Sequence, residues 1–262
     1  MQADDLVSRL ESFLPAELRR TRRALKGASP RNPGVPVHEA RKSIKKLRAA
    51  LRLARTMGPE RVLEGVAVPL REAAHALGPV RDHLVLNKIS KDLVKRGEDK
   101  PPDPASPDTG PLLKRAHAGL ERAGNGLRRL LQAGFDEMGA EAGLRRLYKR
   151  ARKAMKKACE SESDEDLHAW RRRAKDFCYV LELVEAPSRY VEKLRRLTEL
   201  LGDDHDLASF ARAHDSANAR RAHHPILKRA RKRRRPLQKK AFRLGRKLFR
   251  ENERDFVRRV LD

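Results

Sequence analysis

VHEARKSIKKLRA, from Val37 to Ala49, opens on an aliphatic residue and a histidine and then spaces its bases by three and four. Residues so spaced share one side of a helix. His38, Arg41, Lys45 and Arg48 therefore form a row bordered by Lys42, while Ile44, Leu47 and Leu51 fall on another side and can pack inward. LHAWRRRAKDFCY, from Leu167 to Tyr179, echoes the pattern: His168, Arg171 and Lys175 keep the same offsets, Arg172 borders them, and Cys178 replaces the fourth base. The echo extends further. LGPVRDHLVL at Leu77–Leu86 is answered by LGDDHDLASF at Leu201–Phe210, each leading from a Leu-Gly pair to an aspartate, Asp82 or Asp206. Histidine and glycine stand 40 residues apart in the first half and 34 in the second. Two motifs in the same order at similar separation point to a duplicated helical unit. Matched halves facing across a pseudo-two-fold axis would bring their bases together at the centre.

Helical periodicity runs through the rest of the chain, and nothing reads as a hairpin or a strand–helix alternation, so the expected class is all-α. Leu6, Leu10, Phe13 and Leu14 mark a first helix. GASPRNPGVP, Gly27–Pro36, breaks the pattern, with Pro36 suited to the first turn of the next helix. Pro69 is expected to kink or interrupt a third segment, and Gly78-Pro79 to precede a fourth. GEDKPPDPASPDTG, Gly97–Gly110, holds four prolines and reads as a linker. Ser163 before Asp164, Glu165 and Asp166 is a helix start that places His168 in an early turn. One helix should end at Leu201 and another follow Gly202. The expected division is a first repeat over 1–98, a linker over 99–110, a second repeat over 111–216 and a basic helical segment over 217–262, divided by Pro225 and Pro236.

Charge narrows the function. The 262 residues carry 62 Lys and Arg against 36 Asp and Glu, a formal net charge of +26, which repels itself in the compact state and points to a polyanionic partner. Aromatics are 4% of residues, so the core should be mostly aliphatic. Two cysteines suggest neither a disulfide scaffold nor a thiolate metal cluster, and fit a reducing compartment. The acidic start lacks signal-peptide order, and no apolar run approaches the ~20 residues of a membrane span, so a cytoplasmic protein without membrane insertion is expected.

Arginine forks and lysine point charges suit oxyanions, and a row of them suits a chain of phosphates better than one small anion. Another row, in LRRLYKRARKAMKK, presents Arg145, Lys149, Arg152 and Lys156 with Tyr148 at its border. Asp82 and Asp206 would be repelled by the anion; capping a helix or holding a nearby base in place suits them better. In RRAHHPILKRARKRRRPLQKK, Arg220–Lys240, eleven of 21 residues are basic and none acidic. It reads as a solvated face, a nucleic-acid contact, or a segment wrapped on the same groove through Lys228, Arg231, Arg235, Lys239 and Arg243. The adjacent His223 and His224 do not make a metal site, and no cofactor is expected.

The two histidine-led helices, with the Leu-Gly-x-x-x-Asp segments in their expected places, resemble the CHAD domain, the conserved histidine alpha-helical domain, over nearly the whole chain. That resemblance implies a single domain of two similar antiparallel four-helix bundles with a basic central groove or pore. It further implies noncatalytic binding of inorganic polyphosphate, which family members bind, and association with polyphosphate granules, as several do, together with granule-associated proteins as partners. By motif position the expected contacts are His38, Arg41, Lys42, Lys45 and Arg48, then His168, Arg171, Arg172 and Lys175, with Tyr148, Lys149 and Arg152 from the arginine-rich helix before the second signature. It also favours the groove reading for Lys228, Arg231, Arg235 and Lys239. Asp176, Cys178 and His205 depart from the basic pattern, so the second half should supply fewer contacts. The chain lacks the glutamate alternation of a triphosphate-tunnel domain and looks freestanding.

Two other functions stay open. Nucleic-acid binding fits the charge, but three tyrosines and one tryptophan make a poor stacking platform, and no zinc-finger pattern is present. A polyphosphate-processing enzyme would need carboxylates for a metal or a nucleophile beside a base, and the basic rows hold neither. The sequence gives no sign of oligomeric state.

Overall fold

The computed structural model describes residues 3–95, 105–214 and 224–261. Their regular structure is ten α-helices and two short 3-10 turns, with no strand among the described residues. The helices are α1 (Ala3–Lys26), α2 (Gly34–Leu53), α3 (Glu60–Ala76), α4 (Gly78–Leu93), α5 (Thr109–Ala133), α6 (Ala140–Ser161), α7 (Asp164–Leu183), α8 (Ser188–Ala213), α9 (His224–Leu248) and α10 (Glu253–Leu261).

The signature helices α2 and α7 pack on each other at the centre. Around them, α1 covers α2, α3 lies along α5, α6 covers α7, α7 meets α8, and α8 lies along α9. Each helix buries a stripe spaced by three and four, as the periodicity requires. In α2 that stripe includes Ala40, Ile44, Leu47 and Leu51; in α7 it includes Leu167, Trp170, Ala174, Phe177 and Leu181. A second, smaller core joins α4, α8 and α9 through Leu93, Leu207, Phe210, Ile226, Leu227 and Ala230.

Several boundaries differ from the sequence reading. α5 does not open the second half: Leu113, Ala116, Leu120, Ala123, Leu127 and Leu130 bury against α3 and α1. The approach is close enough that a Cβ at Gly126 would collide with the Gly65 carbonyl. The first packing unit thus runs to Ala133 and contains the Pro-rich stretch, part of which (96–104) lies outside the described residues, as does His223. α8 runs unbroken through Gly202, and α3 and α9 continue through Pro69 and Pro236. The contrast with the first half has a simple cause. Pro79 follows Gly78 and ends one helix and starts another, whereas Asp203 follows Gly202 and keeps its backbone donor. The core is mostly aliphatic, as the composition implies. Tyr148, Phe177, Tyr190, Phe249 and Phe256 form one aromatic cluster, with Tyr148 and Phe256 stacked at 4.2 Å between centroids.

Candidate functional site

The inner face of α2 carries Arg41, Lys45 and Arg48 at spacings of four and three, and Arg52 continues the row one turn on. From Arg41 to Arg52 the row covers about 17 Å at 1.5 Å per residue. α7 faces it with Arg171 and Lys175, and α4 adds Arg81. These side chains meet in the interior. Burial first, then the charges of Arg171, Arg41, Arg81 and Lys175, brings the Lys45 ammonium down from 10.5 to about 7. Burial, opposed by Asp82 and reinforced by Arg81, Arg48 and Arg171, lowers Arg41. Burial likewise lowers Arg171 against the pull of Asp206. The buried Nε–H groups of Arg41 and Arg171 make no hydrogen bond.

The Leu-Gly-x-x-x-Asp segments border these two arginines. Gly78 lies beside the Arg41 guanidinium and Gly202 beside that of Arg171, where a Cβ at either glycine would be in ordinary contact at 3.8 Å. Arg41 donates through Nη1 to the Ala74 carbonyl at the end of α3. Asp206 accepts from Arg81 Nη2 at 2.6 Å and ties α4 to α8, while Asp82 accepts from Arg81 Nη1 at 3.1 Å. Holding bases in place, one of the two roles expected of these aspartates, is what Asp206 does. Capping is not: Asp206 stands inside continuous α8, and α4 has no side-chain cap.

Beyond Lys45 the cations continue into an open cleft of about 160 Å³, lined by Arg48, Arg52, Arg55, Arg71, Arg150 and Arg173, with Glu64 among them. Arg48 is lowered by burial and then by Arg52, with Arg71 and Arg172 acting in the same sense and Asp176 against them. Asp176 is accounted for here. It binds Arg52 at 3.1 Å, linking α2 to α7, and burial raises its carboxyl despite the arginines around it. Lys175 lies 5.0 Å above the Tyr179 ring and reaches Thr198 Oγ1 at 3.4 Å.

His168 and His205 meet with their Nδ1 atoms 3.0 Å apart, so one ring donates and the other accepts. Burial, then Arg172 and Arg171, depresses His168 to about 4; burial, then Arg171 and its partner ring, depresses His205 to about 3. The first-half histidine is placed differently. His38 is exposed at the start of α2, and Lys42 is exposed beside Glu39.

Other expected contacts are not in this cluster. Tyr148 is fully buried in the aromatic core, and its hydroxyl donates to the Glu251 carbonyl at 2.9 Å, because its row faces the C-terminal segment. Lys149 pairs with Glu253 at 3.5 Å, and Arg152 Nε donates to the Phe249 carbonyl at 3.1 Å. Lys228, Arg231, Arg235 and Lys239 are exposed on α9, away from the charges that act most strongly on Lys45. The sequence reading left out Arg52, Arg55, Arg71, Arg150 and Arg173. Arg52 extends the α2 row and is visible as spacing, whereas Arg55, Arg71, Arg150 and Arg173, from four elements, become its neighbours only through packing. Among the described residues, no group of three His, Cys, Asp or Glu is placed to hold a metal ion, and no helix is long and apolar enough to cross a membrane.

A family model, the CHAD domain, matches residues 16–215. The crystal structure of the CHAD domain from the plant Ricinus communis aligns with a TM-score of 0.53 at 18% identity, covering 98% of this chain and 91% of that one. This likeness concerns the fold alone. No curated protein matches the chain.

Proposed function

The chain belongs to the CHAD domain family, and we propose that it binds inorganic polyphosphate, without catalysis, along the cationic cluster where α2, α4 and α7 meet and the cleft that continues from it beside α3 and α6, together called the cleft below. The observation that carries this reading is the state of Lys45. It is half-buried, and four other cations, not a carboxylate, are the charges that most affect it. Removing cations from water into mutual repulsion is costly unless an anion joins them. Arg41 and Arg171 add buried Nε–H donors without acceptors. A polyanion would supply the acceptors and the countercharge together.

A linear phosphate chain suits the cleft because Arg41, Lys45, Arg48 and Arg52 follow one helix while Arg171 and Arg173 face them from α7. Many charge-assisted bonds would share the load, and affinity should fall steeply with salt. Each contact is to a phosphate oxygen, and nothing in the cleft resembles a platform for bases. With this binding goes a proposed location in the cytoplasm, on phosphate-rich granules where these form, with granule-associated proteins as neighbours. The family's binding of polyphosphate supports the same reading.

The test is calorimetric titration with polyphosphates of graded length at two salt concentrations, with single- and double-stranded DNA at equal charge as competitors. Affinity should rise with chain length until the cleft is spanned, weaken at the higher salt, and survive the DNA. Equal displacement by either DNA would remove the selectivity and favour general polyanion binding.

A further inference from the structure

The exposed cations of α9 stand apart from the cleft, and α8 lies between them. Successive residues of a helix turn by about 100°, so Asp204 and Asp206 project about 200° apart from α8. Asp206 points to the cleft, where it holds Arg81. Asp204 points the opposite way and holds α9, accepting from Arg234 Nε and from Gln238 Nε2, each at 2.9 Å. Arg234 also binds Asp164 on α7. The inward side of α9 is thus fixed by Arg234 and Gln238, with Leu227, Ala230 and Ala241 buried alongside. A layer of carboxylates lies between the two basic surfaces.

The outward side of α9 has a different character. Lys228, Arg235, Lys239 and Arg243 are exposed, and Arg235, Lys239, Lys240 and Arg243 have no carboxylate partner among the described residues. From Lys228 to Arg246 the basic face extends about 27 Å. Over its C-terminal half it borders an open furrow of about 980 Å³, in which Glu162 is the one acid among the lining residues. The cleft has Asp82, Asp176 and Asp206 to orient its bases, whereas this face presents its charge directly to the solvent.

We infer that the outward face of α9 is a second polyphosphate site, so that one protein chain holds two phosphate strands on opposite sides of α8 and bridges them. The inference rests on the reading of the cleft as a polyphosphate site. Charge complementarity selects the occupant: a strand bound in the cleft leaves the rest of a granule's strands within reach of a second all-basic surface. Being exposed, the second site is the weaker and the more sensitive to salt. Bridging makes association depend on the ratio of the components. A network forms near charge balance and dissolves when excess polyphosphate gives each site its own strand.

The test uses the full chain and its Arg235→Gln/Lys239→Gln/Arg243→Gln variant, whose changed side chains are all exposed. Titration with a polyphosphate too short to pass around α8 should show two binding events per chain in the parent and only the tighter one in the variant. With long polyphosphate, light scattering should rise and then fall with increasing ratio in the parent and stay low in the variant. The inference is overturned if the parent binds one short chain, if the variant scatters like the parent, or if the variant loses the tighter event as well, which would make cleft and α9 one site. A parent that binds no polyphosphate at all would instead refute the reading of the cleft.

Discussion

Lys45 is the residue on which the site's chemistry turns, and its burial among arginines has a measurable sign. In the folded chain its pKa is about 7, and in the unfolded chain it returns to the ordinary 10.5. Between those values the unfolded state holds more protons, so this residue's contribution to stability grows as pH rises through that window. Bound phosphate reverses the situation by favouring the ammonium. Binding at pH 8 should therefore take up a proton, seen as a binding enthalpy that varies with the buffer's heat of ionisation. Affinity should decline as pH rises above 7. Lys45→Met should abolish the proton uptake, weaken binding, and raise the melting temperature of the free protein by about 2–4 °C, since about 1 kcal/mol of repulsion leaves with the charge. A buffer-independent enthalpy in the parent would show that Lys45 does not titrate with the ligand. At this scale the spacing picks out Arg41, Lys45, Arg48, Arg171 and Lys175, which the fold gathers, and Asp206, which holds Arg81. It gives no sign that Tyr148 is buried, because a polar atom on an aromatic ring does not tell whether the ring borders a groove or enters a core.

Elements are where local rules succeed or are overridden. Ser163 starts α7 as its sequence suggests, its hydroxyl accepting from the Asp166 amide at 3.2 Å. Asp166 in turn accepts from Ser161 and Lys157, closing the turn between α6 and α7. Ser163→Ala should cost about 1 kcal/mol, the usual loss for a removed N-cap, read as a lower urea midpoint with an unchanged slope. Polyphosphate affinity should change less than the stability does, because the cap orders the helix end rather than Arg171 and Lys175 further along. An unchanged midpoint would mean that packing of α7 alone fixes its start. Gly202 shows the other outcome. Leu-Gly reads as a break in both halves, but only the first copy has the proline that enforces one, and burial of Leu197, Leu200, Leu201 and Leu207 carries α8 through. The same competition explains α5. Its place after a Pro-rich stretch suggests a new unit, while its apolar face is matched to α3, and only the tertiary contact decides.

For the molecule as a whole, the all-α class was legible and the arrangement of its helices was not. The two histidine-led helices and the helices that carry the Leu-Gly-x-x-x-Asp segments, α2, α7, α4 and α8, pack around one cationic interior. Arg150 and Arg173 lie outside the basic rows that the spacing picks out on α6 and α7, and Arg71 comes from α3, whose sequence shows no such row. Arg52–Asp176 and Arg81–Asp206 then hold the halves at the spacing that keeps the bases facing one another. The central claim is that bases from both halves make one polyphosphate site. Its most direct test is calorimetric titration of long polyphosphate into Arg41→Ala, Arg171→Ala and the double variant, with melting curves confirming that each is folded. Each single change should weaken binding about tenfold or more, roughly 1.4 kcal/mol, and the double change should remove the tight event. Tight binding unchanged in the folded double variant would contradict the account and move the site out of the cleft.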